Sequence, residues 1–258
     1  MKFAKIGIAS LVFFLLCFSL ALGVRADGKE LSLEKASEFY KQGKFEEAGE
    51  IYEAFLKENP DSTGLHYNLG NVYFKLKKIG KAILEYERAK NIKPRDYETN
   101  ENLAYVQGLI EYKLEDKRNW YLIQCDWLAD FFSKNEVLFV SVLLYSLLMS
   151  FLALRLLLKG KLKFLKFTNV LLVLFLVSLA PVLWKYYEER FHRDAVVVSS
   201  KAEIRYGPSR SDKVAFRLVE GLTVQVQDVR DGWYLVGLIN GESGWCEKKD
   251  LELIQPLC

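Results

Sequence analysis

Four cysteines and two histidines are the residues of this chain best suited to redox, nucleophilic or metal chemistry. Their spacing supports none of the three. Cys17, Cys125, Cys246 and Cys258 contain no CxxC pair, so a redox dithiol or a zinc ribbon lacks its ligands. A thiol oxidoreductase using Cys125, Cys246 or Cys258 would have to work without that pair. Cys125 has no histidine near it in sequence. His66 lies in a helical packing position, and His192 stands beside an apolar segment. No HExxH, Walker loop, GxSxG or GxGxxG occurs. The expectation is a protein that is not an enzyme, with no catalytic residues, no metal ligands and no cofactor.

The elements around these residues say more. Of 258 residues, 51% are apolar, and many fall in three runs at 6–22, 137–158 and 168–184. The intervening segments are rich in Lys and Glu. This pattern predicts small folded pieces tied together by membrane segments. The net charge of +3 gives no global basic field suited to nucleic acid.

Residues 1–26 read as a signal peptide: Lys2 and Lys5, an apolar stretch from Ile6 to Leu22, then Val24-Arg25-Ala26 as a cleavage site. An uncleaved N-terminal anchor is the alternative, and either one sends residue 27 onward across the membrane. Residues 136–158 and 168–187 read as transmembrane helices, the second containing Pro181. Between them, the loop at 159–167 and its flank carry Arg155, Lys159, Lys161, Lys163 and Lys166 without an acid. Short basic loops stay cytoplasmic, so both flanking parts belong on the far side. Trp120, Tyr121, Trp127, Trp184, Tyr186 and Tyr187 mark the outer ends, and residues 119–135 form an interfacial linker.

Residues 27–118 show a period. Ala48 and Ala82, Tyr52 and Tyr86, Pro60 and Pro94, and Phe39 and Tyr73 are each 34 apart. The second copy resembles the tetratricopeptide repeat through Leu69, Gly70, Tyr73, Ala82, Tyr86, Ala89 and Pro94, with His66 in the usual Trp position. Small Gly70 and Ala82 let two helices cross closely. Tyr73 and Tyr86 fill the gap, and the prolines stop each second helix. In the first copy Ala36 replaces the glycine, and Phe55 takes a small-residue position. A third first-helix begins near Tyr97 and runs through Leu103, Ala104 and Leu109 towards Asp116, capping the stack. Residues 27–61 carry ten acids and five bases, and residues 62–95 two acids and eight bases. That contrast suits either a charged partner segment or solvated outer faces.

From Ala195 the pattern turns strand-like: 195–198, 214–218, 222–229 and 233–238 are rich in Val and Leu. Turns are signalled at Tyr206-Gly207-Pro208-Ser209, Glu220-Gly221, Asp231-Gly232 and Asn240-Gly241. Residues 195–256 resemble a bacterial SH3 domain through Ile204-Arg205-Tyr206-Gly207-Pro208-Ser209, Leu218-Val219-Glu220-Gly221, Gly232-Trp233-Tyr234-Leu235-Val236 and Asn240-Gly241-Glu242-Ser243-Gly244-Trp245. Asn240-Gly241 is expected to form the tight hairpin. Cys246 and Cys258 are candidates for a disulfide on the oxidising side.

The expected fold class is a multidomain membrane protein: an all-α tetratricopeptide helical repeat, a two-helix transmembrane hairpin and a small all-β SH3-like barrel. Candidate partner-binding residues are Asn68, Asn71, Tyr73 and Asn102 in the array and Tyr206, Trp233 and Trp245 in the barrel. The two Trp residues serve equally as barrel core. The whole order resembles the BatE-like family, the E-type component of the Bacteroides aerotolerance operon. That resemblance implies von Willebrand A-domain membrane proteins and, indirectly, a MoxR-type AAA+ ATPase as partners, and a role in envelope integrity or oxidative stress. The reading is a scaffold or assembly protein of the inner (cytoplasmic) membrane. The alternative is a cell-wall sensor whose barrel binds peptidoglycan peptides.

Overall fold

The computed structural model describes residues 27–110, 119–120, 123–124, 131–157, 162–191 and 193–255. The expected signal peptide, Cys125, Trp127, His192, Cys258 and residues 121–122 and 125–130 of the interfacial linker lie outside the described residues.

The 34-residue period becomes helix boundaries. Helices α1 (Asp27–Lys41) and α2 (Phe45–Glu58) are followed by α3 (Thr63–Lys75), α4 (Ile79–Ile92) and α5 (Tyr97–Gly108). Both ends of α2 recur 34 residues later in α4. Each of these two helices stops two residues before its proline, because the residue ahead of proline avoids helical ψ. The chain divides into two compact units, residues 1–51 and 52–258. Within the first, Gly43 (φ 78°) turns the chain between α1 and α2, and the Tyr40 and Phe45 rings meet edge to face at 5.3 Å.

In the second unit α3 and α4 pack at the closest approach that sequence allows. A Cβ on Gly70 would sit 2.6 Å from the Tyr86 ring, and Ala82 is fully buried. Helix α5 packs on α4 through Leu103 and Val106, with Asp96 capping its N-terminus by accepting from the Thr99 N–H.

Helices α6 (Lys134–Leu157) and α7 (Leu162–Phe191) form a hairpin. Each holds a 20-residue stretch long and apolar enough to cross a bilayer, Lys134–Ala153 and Phe167–Tyr186. Ser141 Oγ lies 3.1 Å from Ser178 O across the pair, and the Tyr145 and Phe175 rings meet at 5.7 Å. The basic connection is shorter than the sequence reading has it. Helix α7 starts at Leu162, so Lys163 and Lys166 occupy its first turns. Lysine has good helix propensity, and nothing there breaks the helix.

Strand β1 (Arg193–Val197) begins two residues after α7 ends. It opens an antiparallel sheet with β2 (Ala202–Arg205), β3 (Val214–Leu218), β4 (Thr223–Arg230), β5 (Trp233–Gly237), β6 (Ser243–Glu247) and β7 (Leu251–Leu253), in the order β3-β2-β6-β5-β4-β1-β7. The four strands read from Val and Leu content correspond to β1, β3, β4 and β5. Register shifts at Ile204/Arg205 and Val226/Asp228 are bulges that bend the sheet over a core including Val197, Ile204, Leu218, Val236 and Cys246. The tight two-residue hairpin falls at Asp231-Gly232 rather than at Asn240-Gly241. Arg230 pairs with Trp233, and both turn residues have positive φ, 30° and 87°. Between β5 and β6, Leu238 N donates to Glu242 O around a three-residue turn with Gly241 at φ 89°.

Candidate interaction surfaces on the repeat and the sheet

Helix α4 carries two polar constructions on its two sides. Towards α3 and α5, Tyr86 OH donates to Asn71 Oδ1 at 2.6 Å. The same oxygen accepts from Asn102 Nδ2 at 3.0 Å, and Asn102 Nδ2 also donates to Tyr67 OH at 3.2 Å. This arrangement consumes both protons of the Asn102 amide and both lone pairs of the Asn71 oxygen. Among the described residues it leaves the Asn71 Nδ2 protons, the Asn102 Oδ1 acceptor and the Tyr67 hydroxyl proton without a partner. Both asparagines are half-buried, so these groups remain reachable. The Phe74 and Tyr105 rings meet edge to face at 5.9 Å on the same pair of helices, with Tyr105 62% exposed. Donors and an acceptor between aromatic rings form a surface on which a peptide backbone can lie.

Tyr73 and Asn68 occupy different settings. Asn68 is half-buried and makes no side-chain hydrogen bond among the described residues. Tyr73 is buried, and its hydroxyl donates to Glu53 Oε1 at 2.5 Å. Burial first, then the Glu53 carboxylate, pushes its ionisation well above the ordinary phenol range. Lys78 and Lys81 stand over its ring at 5.9 and 5.2 Å.

On its other side α4 meets the sheet. Gly80 N donates to Glu220 Oε1 at 2.9 Å, which satisfies one of the open amides of the first turn. Arg88 Nη2 donates to Leu253 O at 2.8 Å and Nε to Ile254 O at 3.1 Å, while Nη1 donates to Glu85 Oε1 at 2.7 Å. Glu85 Oε2 lies 2.6 Å from His66 Nδ1, and His66 Nε2 donates to Pro60 O at 2.8 Å. His66 and Glu85 are buried. The histidine read as filling a helix-packing position does so, and it also orients the carboxylate that holds Arg88.

In the sheet domain, Tyr206 is 73% exposed, whereas Trp233 and Trp245 are each 8% exposed. Arg230 stacks over the Trp245 ring at 5.1 Å. Gly244 permits the β2–β6 approach, since a Cβ there would lie 2.4 Å from Ile204 Cγ2. Cys246 is a buried free thiol whose ionisation burial pushes up to about 12, which keeps it protonated and unreactive. Ser199, Lys201, Glu203, Arg205, Glu247 and Lys249 line an open polar cavity of about 280 Å³. There Arg210 and then Lys249 hold the Glu247 carboxyl down at about 2.

Comparison with known families matches these two bodies. Residues 33–97 match the tetratricopeptide repeat, and residues 198–252 match the bacterial SH3 domain. The chain carries both modules. A search of curated proteins found no match. Both modules are interaction domains, and among the described residues no group of three His, Cys, Asp or Glu side chains is placed to hold a metal ion.

Sequence reasoning named Asn71 and Asn102 but not the network joining them, and it missed Tyr67, Gly80, Glu85, Arg88 and Glu220. One signal was available. A glycine inside a strongly helical pattern marks a close approach or a cost, and Gly80 is such a residue.

Proposed function

We propose that this protein is a non-enzymatic scaffold of a bacterial inner-membrane complex. The α6–α7 hairpin anchors it, and both modules stand on the periplasmic side. Three observations support one-sided placement. The repeat reaches the start of α6, where Arg95 Nη1 donates to Phe131 O at 3.1 Å and Arg95 pairs with Glu136. The sheet domain follows directly on the other end of the hairpin. The two modules dock on each other through α4. The basic connection between α6 and α7 would then be cytoplasmic.

The observation that carries the partner reading is the open Asn71–Asn102 pair. Amide donors beside an amide acceptor match one peptide unit, and the flanking aromatics cover its side chains. The partners suggested by the resemblance to the aerotolerance family are membrane proteins with von Willebrand A domains and, through them, a MoxR-type AAA+ ATPase. Asn68, Asn71, Tyr73 and Asn102 belong to this reading, Tyr73 as the support under the basic end. A second reading is favoured by exposed Tyr206, next to Arg205 of the polar cavity: the sheet domain holds a peptidoglycan peptide, with Trp233 and Trp245 shaping the surface from beneath.

Crosslinking in native membranes followed by mass spectrometry tests the proposal. The expected result is capture of A-domain membrane proteins by the wild type and its loss in Asn68→Ala/Asn102→Ala. Capture of wall fragments alone, lost in Tyr206→Ala, would replace the scaffold reading with the wall-sensor reading.

A further inference from the structure

The contact between the repeat and the sheet domain is built from residues that make sense only if the two modules are held together. Glycines stand on both sides of it. A Cβ on Gly80 would lie 2.3 Å from Val197 O and 2.9 Å from Glu220 Cγ. Gly221, at φ 90°, has room for no Cβ either, with Ile110 Cδ1 at 2.8 Å and Ile83 Cδ1 at 2.9 Å. Around this bare centre the polar groups are matched across the junction. Glu220 accepts from the first turn of α4, and Arg88 spends its guanidinium on two carbonyls at the end of β7 and on Glu85. Those carbonyls belong to an edge strand and its continuation, so the guanidinium also closes a sheet edge. Glu85 is fixed in turn by His66, and His66 by Pro60 O, so the clamp is anchored in the repeat's interior.

We propose that helices α3–α5 of the repeat and the sheet domain work as one rigid body, closed by a clamp of Gly80, Arg88, Glu220 and Gly221, and not as two beads on a membrane tether. The inference does not depend on which partner binds. Its consequence is that the Asn71–Asn102 surface and the sheet surface keep a fixed spacing. Such spacing selects a partner with two epitopes at the matching separation over two independent ligands.

Interspin distance measurement on the full chain in lipid nanodiscs tests this. Labels are placed at Asn91→Cys and Ser211→Cys, both exposed positions, in a background with Cys17, Cys125 and Cys258 replaced by Ser. The clamp predicts one narrow distance peak. Gly80→Ala should broaden it, although alanine is the better helix residue, so a loss of repeat folding does not explain that outcome. Arg88→Ala should broaden it too, and Lys201→Ala, outside the clamp, should leave it narrow. A broad distribution in the unsubstituted protein would overturn the proposal. So would a narrow peak that survives both Gly80→Ala and Arg88→Ala.

Discussion

The two sides of α4 use similar chemistry to opposite ends. On the sheet side every charged group found there is answered: Arg88 by Glu85 and two carbonyls, Glu85 by His66, Glu220 by the Gly80 amide. On the side facing α3 and α5, Asn71 and Asn102 answer each other by halves and keep an amide group and a carbonyl in reserve. A satisfied polar network gives a fixed joint, because opening it strands buried groups. A half-satisfied network at a reachable surface is suited to recognition, since a ligand can complete it.

Removing the ring that packs α4 on α3 should have the largest effect. Tyr86 is 1% exposed and supports Gly70 on one face and the Asn71 bond at its tip. Tyr86→Ala should cost about 3–5 kcal/mol of stability, read as a lower thermal midpoint, and should abolish partner capture as well. Arg88→Ala comes next, at about 1.5–3 kcal/mol for lost bonds to a charged group. It acts on the sheet side alone, so capture through the opposite side should persist. Asn102→Ala reverses that pattern, costing about 0.5–1.5 kcal/mol while abolishing capture. If Arg88→Ala and Asn102→Ala gave the same profile, the division between the two sides would fail.

Two smaller effects sharpen the contrast within the sheet domain. Glu247, held at about 2 by Arg210 and then Lys249, has a depressed carboxyl value. Its contribution is therefore present above the unfolded value and lost as pH falls through about 2. Carbon-detected NMR titration should place its midpoint there, and Arg210→Ala should move it up towards the ordinary carboxylate value of about 4.3. Cys246 shifts the other way. With its thiol pushed up to about 12, the folded state favours the protonated form, so its contribution is intact below the unfolded value and fades as pH rises towards 12. Iodoacetamide at neutral pH should leave Cys246 unmodified until the protein is denatured.

The parts of this architecture that were legible in the sequence are those set by neighbours. The repeat announces itself because Gly70, Ala82, Tyr73 and Tyr86 must recur for helices to cross at one distance, and helix ends follow from Pro60 and Pro94. Strands β1, β3, β4 and β5 are legible from Val and Leu runs between glycine turns, whereas the short β2, β6 and β7 carry no such run. Hairpin type was misassigned because Asn-Gly and Asp-Gly carry the same signal, and only pairing register decides which loop has two residues. The junction was not legible. It joins residues 140 and 166 positions apart, Gly80 with Glu220 and Arg88 with Ile254, and no local pattern encodes such a meeting. The candidate surface was half legible: residue types pointed to Asn71 and Asn102, but the hydrogen bonds that orient them depend on Tyr67 and Tyr86.

Both sides of α4 can serve one complex only if the repeat and the sheet domain share one face of the membrane. Single cysteines at exposed Asn91 and Ser211, in the background lacking Cys17, Cys125 and Cys258, can be challenged in intact cells with a thiol reagent that passes the outer but not the inner membrane. Both positions should be labelled at full rate without lysis. Protection of either one until the inner membrane is opened would contradict it.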